Sequence, residues 1–442
     1  MPRPRVCLLA ALAAASCAVL IPAALSPADA QVSRHRPAAP PIADRAAVSG
    51  APARLTLPPP TGRYQVGTVS LDLVDRSRPN PWAASPPYRE LMVSLWYPAG
   101  HARRYPLAPQ MLPAAAAHFG SPAGAGSQLY GIPPGSVDWA ATLTSGHQGA
   151  PLARHRRRLP VVLFSPGAED PRTWETTLVQ DLASRGYIVV TIDHTYDSSE
   201  VEFPGGRVVG TLWPEWFARA QHDFFPLAKK ILAVRIADTR FVLDELMALD
   251  AGGNPDAEGR PLPRGLSGAL DMRHAGMFGV SLGGIITPET MYEDPRIRAG
   301  IDIGGTVESP LIPHALRLWP VAQHGLGRPF MFMGDPRTDH NSVPSWQALW
   351  TRSPGWHADL TLKGASGENS YKDLVPLAPQ IARQLGLPES FVTGAIGTID
   401  PARAIAAEEA YVSAFFGRWL RGLPGHLLDG PSPRYPGIAF IR

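Results

Sequence analysis

From residue 159 onward, short apolar runs alternate with longer segments whose apolar residues recur at helical spacing. The runs are Pro160 to Phe164, Tyr187 to Ile192, Ala275 to Phe278, Ala299 to Ile303, Pro329 to Met333 and Ala358 to Leu362. A strand covered on both faces reads as an unbroken apolar run, and helices between such strands carry them back in parallel. Thr173 to Arg185 places Leu178, Val179 and Leu182 on one face, and Ala228 to Leu249 aligns Ile231, Leu232, Ile236, Val242, Leu243 and Leu246. Ala402 to Arg421 closes the chain with a third helical segment. Upstream, Tyr64 to Val74 and Arg89 to Tyr97 alternate apolar and polar residues, which suits antiparallel strands at a sheet edge. The expected fold is α/β, a doubly wound, mostly parallel sheet with antiparallel N-terminal edge strands.

Within that frame His274 to Gly284 is an apolar stretch ending in Gly279-Val280-Ser281-Leu282-Gly283, a G-x-S-x-G. The motif follows one expected strand and precedes a helix, with two strand-helix units before it and further strands after it. That is the setting of a nucleophile elbow, where glycines make room for a strained serine whose hydroxyl points outward. Ser281 is therefore read as a nucleophile in an α/β-hydrolase, against the plainer reading of a structural turn that contains a serine.

The N-terminus reads as an export signal. Arg3 and Arg5 form a basic start, Val6 to Leu25 is almost wholly apolar, and Ala28-Asp29-Ala30 is a small-x-small cleavage site before Gln31. An uncleaved membrane anchor is the alternative, because the apolar run is nearly long enough to span a bilayer. Residues 1–30 are thus assigned to a signal peptide, 31–62, rich in Pro and Ala, to a flexible tether, and 63–442 to the hydrolase domain. This domain includes an insertion at 98–158 of unassigned structure. Both cysteines, Cys7 and Cys17, fall inside the signal, so a mature chain has neither disulfides nor thiol chemistry. Its removal takes the formal charge from +3 to +2, because Arg3, Arg5 and Asp29 go with it. So small a charge excludes a nucleic-acid partner, and the basic run Arg154 to Arg158 reads as a solvated loop.

Residues 199 to 227 are expected to cap the site. Phe203-Pro204-Gly205-Gly206-Arg207-Val208 has the form of a hairpin, and Leu212-Trp213-Pro214-Glu215-Trp216-Phe217 with Phe224-Phe225 is dense in aromatics. These side chains either line an apolar, lipid-like pocket or pack the cap onto the core.

Several ordered segments extend the match beyond the elbow: Leu163-Phe164-Ser165-Pro166-Gly167, Leu182-Ala183-Ser184-Arg185-Gly186-Tyr187, Asp193-His194-Thr195-Tyr196-Asp197 and Asn369-Ser370-Tyr371-Lys372-Asp373-Leu374. With Gly279 to Gly284 they resemble the plasma-type platelet-activating-factor acetylhydrolases and their bacterial relatives, exported serine esterases, over roughly residues 64 to 430. The resemblance implies an oxyanion hole from the backbone N–H groups of Leu282 and Ala168. It also implies a triad acid at the place held here by Gly304 and a histidine at the place held by Glu368. Pro166 stands where relatives often carry His.

Three carboxylates are candidates for the missing acid: Asp302, two residues before Gly304 and on the same strand face, and Asp335 or Asp339 after the next strand. Glu368 is left as candidate base, although a carboxylate of ordinary pKa is poorly matched to removing a serine proton at neutral pH. His194 reads as a structural hydrogen-bonding residue. His340 is either a loop residue in solvent or a replacement base. No ligand set of metal-binding spacing accompanies Asp339 and His340, so no metal and no cofactor is expected. The sequence points to an exported hydrolase of small carboxylic or lipid-like esters, with no stable partner. The alternative is a repurposed hydrolase fold that binds an apolar ligand, because Gly304 and Glu368 replace the family acid and base.

Overall fold

The computed structural model describes residues 51–155, 157–220, 224–306 and 317–442. An eleven-stranded sheet runs through it in the order β13-β12-β11-β10-β9-β5-β6-β2-β1-β4-β3. Its centre is parallel: β5 (Leu159–Ser165), β6 (Ile188–Asp193), β9 (Leu270–Val280), β10 (Ile297–Ile303), β11 (Phe330–Gly334) and β12 (His357–Leu362). These are the six apolar runs of the sequence, with ends shifted by a few residues. β1 (Gln65–Pro79) and β2 (Tyr88–Ala99) pair antiparallel beside β6, as the alternating pattern implies.

The insertion adds its own strands outside them. β4 (Leu143–Gln148) lies parallel to β1, and β3 (Leu107–Pro109) runs antiparallel to β4. At the far end β13 (Ile438–Phe440) closes antiparallel on β12.

Alternation along the parallel strands divides the core into two layers. Val162 and Phe164 pack with the helices Thr176–Ser184 and Pro401–Arg421 on one face. Val161 and Leu163 pack with the helices Phe225–Asp250 and Leu282–Glu293 on the other. This doubly wound arrangement puts the C-terminal ends of β5, β9, β10, β11 and β12 along one rim, where loops gather functional groups.

One expectation is corrected. Residues 53 to 62, read as the end of a flexible tether, are docked on the body of the protein. Ala53 and Leu55 are buried, Ala53 bridges Val137, and the Thr61 N–H and hydroxyl both donate to Asp181 at 2.8 Å. A few apolar side chains among the prolines, with partners that replace a strand ladder, are enough to hold the segment. The signal peptide and residues 31–50 of the tether lie outside the described residues. The expected hairpin is present as β7 (Val201–Phe203) and β8 (Arg207–Val209).

Candidate active site

β9 delivers Ser281 to the middle of the rim. Its backbone has φ 52° and ψ −116°, a left-handed conformation that a residue with a Cβ adopts only under constraint. The constraint is visible: the Ser281 N–H donates to Ile303 O at 2.8 Å, and its carbonyl accepts from Ile285 N at 3.1 Å. The flanking glycines are steric necessities. A Cβ on Gly283 would collide with the Ser165 carbonyl oxygen, and one on Gly279 would collide with the Gly283 backbone.

Leu282 begins the helix Leu282–Glu293, so its N–H is one of the first-turn donors that have no intrahelical acceptor. The second donor expected at the site, Ala168, follows β5 through Pro166-Gly167. Gly167 comes so close to the elbow that a Cβ there would stand 3.5 Å from Ser281 Cβ and collide with Asp170 Oδ2. The loop is fixed from behind by Arg235, which donates to Pro166 O at 2.6 Å and to Gly167 O at 3.0 Å. In a trans peptide the N–H points opposite to the C=O, so pinning the Gly167 carbonyl directs the Ala168 N–H away from Arg235.

The matched run Asp193 to Asp197 supports this loop. Asp197 balances the buried Arg235 guanidinium at 2.7 and 2.6 Å and accepts from Trp213 Nε1 at 2.8 Å. His194 is fully buried, with Nε2 3.0 Å from Ser165 Oγ and Nδ1 3.1 Å from Asp238 Oδ2. Burial, reinforced by Arg235, pushes its pKa down to about 4 despite the pull of Asp238, so the imidazole is neutral and bridges two groups. Although buried, Asp238 is held well below the usual carboxylate range, chiefly by Arg89. His194 thus has the structural role read from the sequence.

Gly304 and Glu368, the places to which the resemblance assigns acid and base, do come together. Gly304 follows β10 with φ 69°, and a Cβ there would stand 3.2 Å from Glu368 Cβ. Asp302 turns elsewhere: its Oδ1 accepts from Gly305 N at 2.8 Å and lies against Gly284 of the elbow helix. Asp335 Oδ2 accepts from Gly367 N at 2.7 Å, so it braces the loop that carries Glu368. Asp339 caps its own turn by accepting from the Asn341 and Ser342 N–H groups.

His340 is not a solvated loop residue. It is buried, stacked on Trp350 with ring centroids 3.9 Å apart, and bound through Nδ1 to Asp359 at 2.8 Å. The strained Ser281 after β9, Ala168 after β5 and Glu368 after β12 thus lie along one rim of the sheet.

A family model for platelet-activating factor acetylhydrolase, isoform II, matches residues 50–305. The chain belongs to this family. A probable 1-alkyl-2-acetylglycerophosphocholine esterase of Arthroderma benhamiae is 28% identical over 413 residues, covering 90% of the chain and 96% of that protein. A platelet-activating factor acetylhydrolase of Bos taurus is 28% identical over 167 residues, 34% of the chain and 35% of that protein. A solved structure, the ferulic acid esterase from Streptomyces cinnamoneus, matches 88% of the chain and 99% of its own length at 33% identity and a TM-score of 0.68. The chain is an ester hydrolase of the α/β-hydrolase fold.

In this family member the aromatic segment packs directly on Ala168 and Leu282. Trp213 and Trp216 are buried with Ile231, and Phe217, Phe224, Ala168 and Leu282 pack against the same cluster. Of the two roles considered for these aromatics, the packing shows that of cap core.

Four residues escaped the sequence reading: Arg235, Asp170, Lys372 and Tyr130. Arg235 had a signal, a charge in the buried stripe between Leu232 and Thr239. Lys372 lay inside a matched segment without being singled out. Tyr130 comes from the unassigned insertion and reaches Asp170 across 40 residues of sequence, with no local pattern to announce it.

Proposed function

We propose that this chain is an exported serine esterase that cleaves carboxylic esters through an acyl-enzyme on Ser281. The observation that carries this reading is the strained Ser281, with the backbone of Gly167 standing against its Cβ, and the oxyanion is assigned to the N–H groups of Leu282 and Ala168. Donors fixed before the reaction meet developing negative charge without reorganising.

In the proposed reaction Ser281 Oγ attacks the ester carbonyl carbon while its proton passes to the Glu368 carboxylate. The carbonyl oxygen becomes the oxyanion held by Ala168 and Leu282. Collapse breaks the acyl–oxygen bond, and Glu368 returns the proton to the leaving alkoxide. Water then repeats the sequence on the acyl-enzyme, releasing the carboxylic acid and restoring Ser281. Asp302 supports the turn after β10, against which Glu368 sits, through its bond to Gly305 N.

The relatives' names span acetylated glycerophosphocholines and a ferulic acid ester. The aromatic cap over Ala168 and Leu282 favours esters with an apolar acyl or leaving group. Among the described residues no helix is long and apolar enough to cross a membrane. The basic start, the apolar run and Ala28-Asp29-Ala30 support export with cleavage before Gln31.

The test is a short-chain nitrophenyl ester with the mature protein and Ser281→Ala, alongside labelling by a fluorophosphonate. Labelling at Ser281 and a fall of roughly 10³-fold or more in the variant are expected. Equal rates in the two proteins would remove Ser281 from the chemistry.

A further inference from the structure

We propose that Lys372 and Asp170 are a positioning pair that holds the oxyanion loop and the Glu368 loop at a fixed spacing, with Tyr130 of the insertion as its third member. The inference rests on the serine esterase reading and adds to it residues that the reaction scheme does not use.

Lys372 Nζ lies 2.8 Å from Asp170 Oδ2, with side-chain exposures of 7% and 3%. Asp170 closes the turn that starts at Gly167, its N–H donating to Gly167 O at 3.4 Å. It also packs so tightly behind Gly167 that no Cβ fits between them, while the other neighbour of that point is Ser281 Cβ. Lys372 follows the short 3₁₀ turn Glu368–Tyr371. Burial alone would favour the neutral amine, yet Asp170 first and Glu368 second raise the Lys372 pKa and keep it an ammonium. One cation of the loop after β12 is therefore held on a carboxylate of the loop after β5. The Tyr130 hydroxyl donates to the remaining oxygen of Asp170, and the Tyr130 ring packs on Trp174 at 5.1 Å between centroids.

A buried ion pair is a weak source of stability, because desolvation offsets most of the attraction. Its geometric service is larger here. Gly304 offers no side chain to the residue at the base position, so the loop that carries Glu368 is tied instead to the loop after β5 through the ion pair. Misplacing a reacting group by about 1 Å lowers rates on the order of 10²-fold, so this link acts on turnover more than on binding.

Removing one partner leaves a buried charge unpaired, so the informative variant is the double D170N/K372M, compared with K372R. Thermal melting, kcat and KM on nitrophenyl acetate and the rate of fluorophosphonate labelling are measured. The double variant is expected to melt within a few degrees of wild type, with KM within about 3-fold and kcat lower by about 100-fold. K372R, which keeps the cation, is expected to stay within about 10-fold of wild-type kcat. A folded double variant with wild-type kcat, or K372R as slow as the double variant, would overturn the pair. Should the double variant fail to fold, Tyr130→Phe decides: an unchanged melting point with kcat lower by about 10-fold supports the inference, and an unchanged kcat overturns it. Wild-type protein that does not label at Ser281 would instead overturn the esterase reading itself.

Discussion

Arg235 donates to the carbonyl oxygens of Pro166 and Gly167 at 2.6 and 3.0 Å, and so sets the peptide plane whose N–H belongs to Ala168. A residue of the long helix Phe225–Asp250 thereby orients the N–H proposed as an oxyanion donor. Arg235→Lys keeps the charge but cannot serve both carbonyls and Asp197 in the same fork geometry. We expect kcat to fall by roughly 10- to 1,000-fold with KM little changed, as for loss of an oxyanion donor. Arg235→Met should behave differently, losing about 3–5 kcal/mol of stability in denaturant because Asp197 is left buried and unpaired. Wild-type kcat in Arg235→Lys would separate the guanidinium from the oxyanion loop.

Glu368 stands against Gly304, at the places to which the family resemblance assigns an imidazole and an acid. Its loop is anchored from several sides, by Asp335 on Gly367 N at 2.7 Å and by the Tyr371 hydroxyl on Gly334 O at 2.6 Å. Substitutions at the tip should therefore report chemistry rather than folding. Glu368→Gln is expected to lower kcat/KM by roughly 10²- to 10⁴-fold at neutral pH, the range of a lost general base. Glu368→His should equal or exceed wild type, since an imidazole is better matched to that pH. An unchanged rate in Glu368→Gln would move the base to another group.

The legible and illegible parts of this protein differ in range. Ser281 and its glycines were readable because the elbow is local: a strand, a strained residue and a helix within a dozen positions, with collisions that only glycine avoids. The central strands were readable for the same reason, as each apolar run is its own signal. Residues 53 to 62 misled because proline-rich composition says nothing of partners such as Asp181, Gln380 and Gln384, which lie far along the chain. His340 misled for a similar reason, its burial being supplied by Trp350 and Asp359 rather than by its own loop. The Asp170–Lys372 contact joins loops about 200 residues apart, beyond any periodicity argument.

Phe217 offers a way to read the cap. It is half-buried, lies 5.2 Å from Trp213 and stacks on Phe224 at 5.0 Å, in the cluster that includes Ala168 and Leu282. Its truncation removes aromatic surface near the site while Trp213 and Trp216 remain as the packed base. We expect Phe217→Ala to lower kcat/KM for aryl-acyl or long-chain esters by about 10-fold, and for an acetyl ester by less than about 3-fold. Equal losses on both substrates would make the cluster cap core alone, with no part in selecting the acyl group.

Glu289 sits in the elbow helix with its side chain fully buried, accepting from Val321 N at 3.0 Å. Burial pushes its pKa up from 4.5 to about 7, with Glu293 adding to the rise and the Val321 bond opposing it. The sign follows from proton counts. Between about pH 4.5 and 7 the folded chain keeps a proton that the unfolded chain has released, so stability falls as pH rises through that window. Below it both states are protonated and the penalty vanishes. Glu289→Gln keeps an acceptor for Val321 N and removes the titration. It is expected to be close to wild type in stability at pH 4.5 and more stable by about 3 kcal/mol at pH 8. Denaturant midpoints of both proteins across that range provide the check. A difference that does not grow with pH would mean that Glu289 ionises in the folded protein as freely as in water.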